Sequence, residues 1–72
     1  MGLKSKKQVI NEAIDAIPVG SKVAVKDLME ELSSVRGYYI PFRTVTRFMQ
    51  ARKDLVYLGR FGRYGMYEKI EV

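Results

Sequence analysis

Arginine is the residue type in this 72-residue chain whose placement points most clearly to chemistry. All six arginines fall between Arg36 and Arg63, and residues 36–72 carry the whole formal net charge of +5, because residues 1–35 sum to zero. A guanidinium forms two parallel hydrogen bonds with a phosphate or a guanine, whereas lysine is a flexible point charge. A solvated basic face would explain a charge excess alone. Its concentration in one half of so small a chain favours a polyanionic partner.

Missing residue types restrict the chemistry further. The chain has no cysteine and no histidine, so thiolate nucleophiles, disulfides and the usual general base and nitrogen metal ligand are unavailable. We therefore expect no enzyme activity, no metal, no cofactor and no small-molecule substrate. No apolar run approaches the ~20 residues of a membrane span. These features favour one domain over residues 1–72, with a flexible N-terminus at 1–4, in the cytoplasm or, in a prokaryote or virus, on the nucleoid.

Apolar periodicity predicts two helices in the first half of the chain. A first helix from Ser5 to Ile17 would be capped by Ser5 and ended by Pro18. A very short strand at residues 22–24 precedes a second helix from Val25 to Ser34. Gly37 is available there as a left-handed stop.

A third helix is predicted from about residue 41 to residue 53, with Pro41 in its first turn. Its apolar positions, spaced for the inner face, are Phe42, Val45, Phe48 and Met49. Its opposite face would carry Arg43, Thr44, Arg47 and Gln50. Such a helix has a basic, hydroxyl-bearing outer face.

The last third of the chain changes to a β pattern. A strand at residues 55–58, a glycine-rich tip at residues 59–65 and a strand from Met66 to Val72 predict a hairpin. Both faces of the last strand mix apolar and charged residues: Met66 and Ile70 share one face with Glu68, and Tyr67 shares the other with Lys69. Which face is buried therefore stays open. The predicted order is helix, strand, helix, helix, strand, strand, which is an α+β fold.

This order resembles a winged helix-turn-helix domain over nearly the whole chain. Residues 40–49, Ile-Pro-Phe-Arg-Thr-Val-Thr-Arg-Phe-Met, are similar to the recognition helix of many winged-helix transcription regulators. Residues 23–32 resemble the short strand and second helix that precede it. The resemblance implies a helix that reads the DNA major groove and a hairpin wing that contacts the backbone or the minor groove.

The resemblance implies binding roles for individual side chains. Arg43 or Arg47 could bind guanine, and Thr44 a thymine methyl group or a phosphate. Arg60 and Arg63 flank the hairpin tip, where they could lie along phosphates or enter the minor groove. Phe61 and Tyr64 either pack in the hairpin or stack on a partner. Tyr38 and Tyr39 are interpreted as packing in a turn, and the alternative is a phosphate hydrogen bond from one of their hydroxyl groups. The candidate nucleic-acid-binding residues are Arg43, Thr44, Arg47, Gln50, Arg60, Arg63, Arg36 and Lys53.

The leading hypothesis is a duplex-DNA-binding protein, of the small transcriptional-regulator type. One alternative is an RNA or ribonucleoprotein binder that uses the aromatic hairpin. Another is a winged helix used as a protein-interaction module. A homodimer stays open, and it would use the first helix or the hairpin edge.

Overall fold

The computed structural model describes residues 4–72, so residues 1–3 of the predicted flexible N-terminus lie outside the described part of the chain. The described residues form three helices and a three-stranded antiparallel sheet, which makes a small α+β domain. The order of elements is the predicted one. The elements are α1 (Lys6–Asp15), β1 (Lys22–Ala24), α2 (Val25–Ser34), α3 (Phe42–Ala51), β2 (Leu55–Phe61) and β3 (Tyr64–Lys69).

α1 begins as predicted and ends earlier than predicted. The Ser5 hydroxyl accepts a hydrogen bond from the Gln8 backbone N–H at 3.1 Å, which is an N-cap. The helix ends at Asp15 instead of Ile17. The Ile17 N–H donates to the Ile14 carbonyl, a tighter three-residue closure. Because Pro18 follows, Ile17 is disfavoured in the helical region, and the last turn cannot continue as α-helix.

α2 occupies the predicted residues. Its N-cap, Ala24, has no side-chain oxygen, but the Asp27 carboxylate accepts a hydrogen bond from the Ala24 N–H, one half of a capping box. At the other end Gly37 adopts a φ of 77°, and the Tyr38 N–H donates to the Leu32 carbonyl at 2.8 Å. The left-handed stop at Gly37 is thus confirmed.

α3 is shorter than predicted at both ends. Pro41 is the N-cap, with extended ψ of 149°, and its carbonyl accepts from the N–H groups of Thr44 and Val45. The helix ends at Ala51, because Arg52 turns to an extended ψ of 136°. The prediction that Phe42 faces inward is wrong: Phe42 remains 38% exposed and packs edge-on against Tyr64, with ring centroids 5.9 Å apart.

The hairpin differs from its prediction in where the strands end. β2 and β3 extend to Phe61 and Tyr64, which leaves only Gly62 and Arg63 as the turn. Gly62 has a φ of 66° and Arg63 does not have positive φ, as a type II′ turn requires. Gly59, with φ of 133°, follows a bulge at which the register shifts between residues 57 and 59. The glycines therefore have separate roles in the bulge, the turn and the strand, and do not form one loose tip.

The sheet order β1-β3-β2 places β3 in the centre, with Tyr67 paired to Val23 on one side and to Tyr57 on the other. Tyr67 is 2% exposed, so the buried face of β3 is the one that Tyr67 shares with Lys69. The sheet and helices enclose one apolar cluster. Its members are Val9, Ile10, Ala13, Ile14, Val23, Val25, Leu28, Leu32, Ile40, Val45, Met49, Leu55 and Tyr67.

Two cations at the base of the hairpin join it to the end of α1. The Lys69 ammonium, almost fully buried, donates to the carbonyls of Ile14 and Ile17 at 2.9 and 3.1 Å. It thus satisfies carbonyls at the negative end of the helix dipole. Arg52 forms two hydrogen bonds with Asp54, at 2.9 and 2.7 Å, and a third with Asp15. The hydrogen bonding with Arg52 lowers the pKa of Asp54 to about 2.

Replacing Asp54 with asparagine is expected to lower the free energy of unfolding at neutral pH by about 2 kcal/mol. The pKa of this carboxyl falls from 3.8 to about 2 on folding, so its stabilisation is present above about pH 4 and is lost as the pH falls towards 2. Urea unfolding measured at several pH values should show a smaller acid-side loss in Asp54→Asn than in the wild type. Glu30→Gln is the control, because Glu30 is exposed and takes part in no ion pair among residues 4–72. Equal acid sensitivity in Asp54→Asn and wild type would contradict the expectation.

Candidate nucleic-acid interface

α3 presents a basic outer face. Val45 and Met49 are fully buried, whereas Arg43, Arg47 and Gln50 are exposed. Successive residues rotate by about 100° around a helix, so positions 43, 47 and 50 fall within about 60° of one another. The three side chains therefore share one side of the helix, as their spacing predicted. Thr44 was predicted on the same face, but it is half-buried and lies on the adjoining flank, because it is about 100° from Arg43 around the helix.

The hairpin arginines lie beside α3, across a cleft of about 240 Å³ that we call the α3–hairpin cleft. On the helix side, the cleft is lined by Phe42, Thr46 and Gln50, which recur every four residues and so form one stripe along α3. Gln50 belongs both to this wall and to the basic outer face. The hairpin side of the cleft consists of Tyr57, Arg60, Arg63, Gly65 and Tyr67.

Charge compensation divides the six arginines into two groups. Among residues 4–72, Arg43, Arg47, Arg60 and Arg63 take part in no ion pair. All four are exposed, and their donors are therefore available to a ligand. Arg52, by contrast, belongs to the network at the hairpin base, where hydrogen bonding with Asp54 raises its pKa.

Arg36 and Lys53, the remaining candidates, occupy different surroundings. Arg36, after the end of α2, donates to Glu31 at 3.3 Å and lies 3.9 Å from Glu12, so its charge is matched by carboxylates. Lys53 is exposed in the turn between α3 and β2. Neither side chain is part of the cleft wall. Of the candidate residues, Gln50, Arg60 and Arg63 line the cleft, and Arg43 and Arg47 share the outer face of α3 with Gln50.

Tyr57 is a feature of the site that sequence reasoning missed. Its ring is 56% exposed and lies 5.4 Å from the ring of Tyr67 at an angle of 58°. Burial raises the pKa of the Tyr67 phenol, and a hydrogen bond with Gln50 acts in the opposite direction. The available signal was Gly65, because a glycine inside a strand indicates the close approach of another group.

Other aromatic predictions have mixed outcomes. Tyr38 packs against the core, as interpreted from the sequence. Tyr39 is 84% exposed, so the prediction that it packs in the turn is wrong. Tyr64 is partly buried against Phe42 and the core, which is the packing alternative, whereas Phe61 is 66% exposed near the hairpin turn.

Within residues 4–72, no group of three or more carboxylate, histidine or cysteine side chains lies together in a way that could bind a metal ion. Over the same range, no helix combines the length and apolar character needed to cross a membrane.

The comparisons with known proteins give no family. No protein-family model matches the chain, and no match is found among curated proteins or solved structures.

Proposed function

We propose that the chain is a winged helix-turn-helix protein that binds duplex DNA, of the small transcription-regulator type. The observation that carries the proposal is that four arginines, on α3 and on the adjoining hairpin, are exposed and have no carboxylate partners among the described residues: Arg43, Arg47, Arg60 and Arg63. Gln50 links the two groups, because it shares the outer face of α3 with Arg43 and Arg47 and lines the cleft with Arg60 and Arg63. The element order and the sheet order β1-β3-β2 support the winged-helix part. A DNA-binding role would place the protein in the cytoplasm or on the nucleoid.

In this proposal α3 enters the major groove. A helix with its side chains is ~10–12 Å across, and the groove is ~12 Å wide. Arg43 and Arg47 then face base edges or phosphates, and Gln50 can bind adenine through its amide. Thr44, on the flank, contacts a phosphate or a thymine methyl group. Specificity comes from these few side chains.

The hairpin supplies the second contact. Arg60 on β2 and Arg63 in the two-residue turn lie across the cleft from α3, so both reach the DNA strand beside the groove that α3 occupies. A two-residue turn leaves the backbone beside these arginines with less conformational entropy to lose on binding than a long loop would. Most of the affinity then comes from pairing with phosphates.

Salt dependence tests whether phosphates dominate the binding. If the protein neutralises about five phosphates, the slope of log K against log[salt] is about −4.5. Affinity for a duplex should then fall about 500-fold between about 50 and 200 mM salt. Fluorescence anisotropy with a labelled duplex measures this slope. A slope near zero, or no binding at low salt, would contradict the proposal.

The other hypotheses are outcomes of the same experiments. Stronger competition by a structured RNA than by duplex DNA would favour an RNA-binding role, particularly if Phe61→Ala weakens binding more than Arg43→Ala does. A protein-interaction role would gain if no polyanion binds at physiological salt. The homodimer stays a prediction. The surface available for it on the hairpin is β2, which lies at the edge of the sheet and exposes the apolar side chains of Val56, Leu58 and Phe61.

A further inference from the structure

Gly65 leaves room for the ring of Tyr57 to lie against the hairpin. A Cβ atom at position 65 would lie 3.1 Å from Tyr57 Cε1 and 3.4 Å from Tyr67 Cε1, which is tight against both rings. Gly65 has no positive φ, so the glycine is needed here for space and not for its backbone freedom. The ring of Tyr57 therefore lies directly over the β3 backbone, against the ring of Tyr67.

Tyr57 is positioned but not covered. Over half of its surface remains exposed, even though Gly65 and Tyr67 support the ring from the hairpin side. A supported aromatic ring loses little conformational entropy when a partner stacks on it. Stacking a nucleobase on an aromatic side chain contributes ~1–3 kcal/mol and tolerates any base, since every base has a flat face.

The surroundings of this ring match the other parts of a nucleotide. Arg60 and Arg63 line the same cleft and supply donors for a phosphate. From α3, the Thr46 hydroxyl and the Gln50 amide offer hydrogen bonds for the edge of a base. The volume of about 240 Å³ equals that of roughly eight waters, below the usual ~300 Å³ minimum of small-molecule sites. The cleft is suited to a single small planar group.

We propose that the α3–hairpin cleft holds one unpaired nucleotide of a bound DNA, with its base stacked on Tyr57 and its phosphate on Arg60 and Arg63. The proposal rests on the DNA-binding function and goes beyond it. In an intact duplex both faces of each base are stacked on neighbours, so Tyr57 has no free face to meet. A duplex with one unpaired nucleotide has already lost part of that stacking and gives up its base at lower cost.

The test compares two duplexes of about two helical turns that differ by one unpaired nucleotide, 2-aminopurine, whose fluorescence falls on stacking. The protein is expected to bind the bulged duplex about 5- to 100-fold more tightly than the intact one. Binding should quench the 2-aminopurine emission. Equal affinity for the two duplexes, or emission that does not change on binding, would overturn the proposal.

Variants assign the preference to the ring. Tyr57→Leu should abolish the preference for the bulged duplex, whereas Tyr57→Phe, which keeps the ring, should retain it. Gly65→Ala, which crowds the ring, should reduce the preference, and Tyr39→Leu, an exposed tyrosine outside the cleft, should leave it unchanged. Thermal unfolding confirms that each variant folds. If Tyr57→Leu keeps the full preference, the nucleotide binds elsewhere and the proposal is wrong.

Failure of this proposal and failure of the DNA-binding function are distinguishable. Binding to the intact duplex that depends on Arg43 and Arg47, with no gain from the unpaired nucleotide, overturns only the cleft proposal. Absence of binding to both duplexes at low salt overturns both.

Discussion

A double variant with Arg43→Ala and Arg47→Ala is expected to bind duplex DNA roughly 30- to 1,000-fold more weakly than the wild type, a loss of about 2–4 kcal/mol. Both guanidinium groups are exposed on one side of α3, and neither has a carboxylate partner within residues 4–72. Nothing in the described fold depends on them, so the free energy of unfolding should change little. Anisotropy titrations and thermal unfolding of the same samples measure the two quantities.

The matched control for this variant removes the same charge elsewhere. Lys7, in the first turn of α1, and Lys22, on the β1 edge of the sheet away from β2, are both exposed. The double variant Lys7→Ala and Lys22→Ala should lose only a few-fold in affinity, through weaker general attraction. Equal losses in the two double variants would mean that net charge alone drives binding and that α3 has no special role.

Tyr67→Ala is expected to remove roughly half of the domain's free energy of unfolding. Replacing a buried aromatic residue with alanine costs about 3–5 kcal/mol, and a domain of this length has a total stability of roughly 4–11 kcal/mol. Tyr67 is 2% exposed and lies at the centre of β3, where it joins both other strands. Urea unfolding followed by far-ultraviolet circular dichroism measures the loss.

Tyr67→Phe is the companion variant, because it keeps the ring and removes only the hydroxyl group. We expect it to lose no more than about 1 kcal/mol, the usual contribution of one hydrogen bond, because the buried ring is kept. A Tyr67→Ala variant with the urea midpoint of the wild type would show that β3 does not organise the core.

Elements with local signals were predictable from the sequence. α2 and β1 occupy their predicted residues, because the apolar spacing and the stop at Gly37 both act within a few residues. The ends of α1 and α3 were less certain. Arg52 leaves the helix, and its guanidinium group binds Asp15, 37 residues earlier in the chain. Periodicity contains no information about such a distant partner.

The hairpin and Lys69 show the same limit. The glycines at positions 59, 62 and 65 were predicted to form one loop. Their roles instead follow from the cross-strand register, in which Gly59 pairs with Met66 and Gly65 faces the ring of Tyr57. Lys69 is buried because it binds carbonyls 55 and 52 residues away. The alternation of side chains along the strand indicated only that Lys69 shares a face with Tyr67.

The candidate site was predictable to a similar degree. Helical spacing correctly placed Arg43, Arg47 and Gln50 on one side of the third helix. The pairing of Arg36 with Glu31 and Glu12 was not foreseen, because it depends on how α1 packs against α2. The cleft between α3 and the hairpin was not foreseen either, since it requires the register of the whole sheet.

Mapping of backbone amide chemical shifts during titration with duplex DNA tests most directly whether α3 and the hairpin form one binding surface. At low salt the largest changes are expected at Arg43, Arg47, Gln50, Arg60 and Arg63, with small changes in α1 and β1. Changes confined to α1 and α2, or no changes at any DNA concentration, would contradict the proposed function.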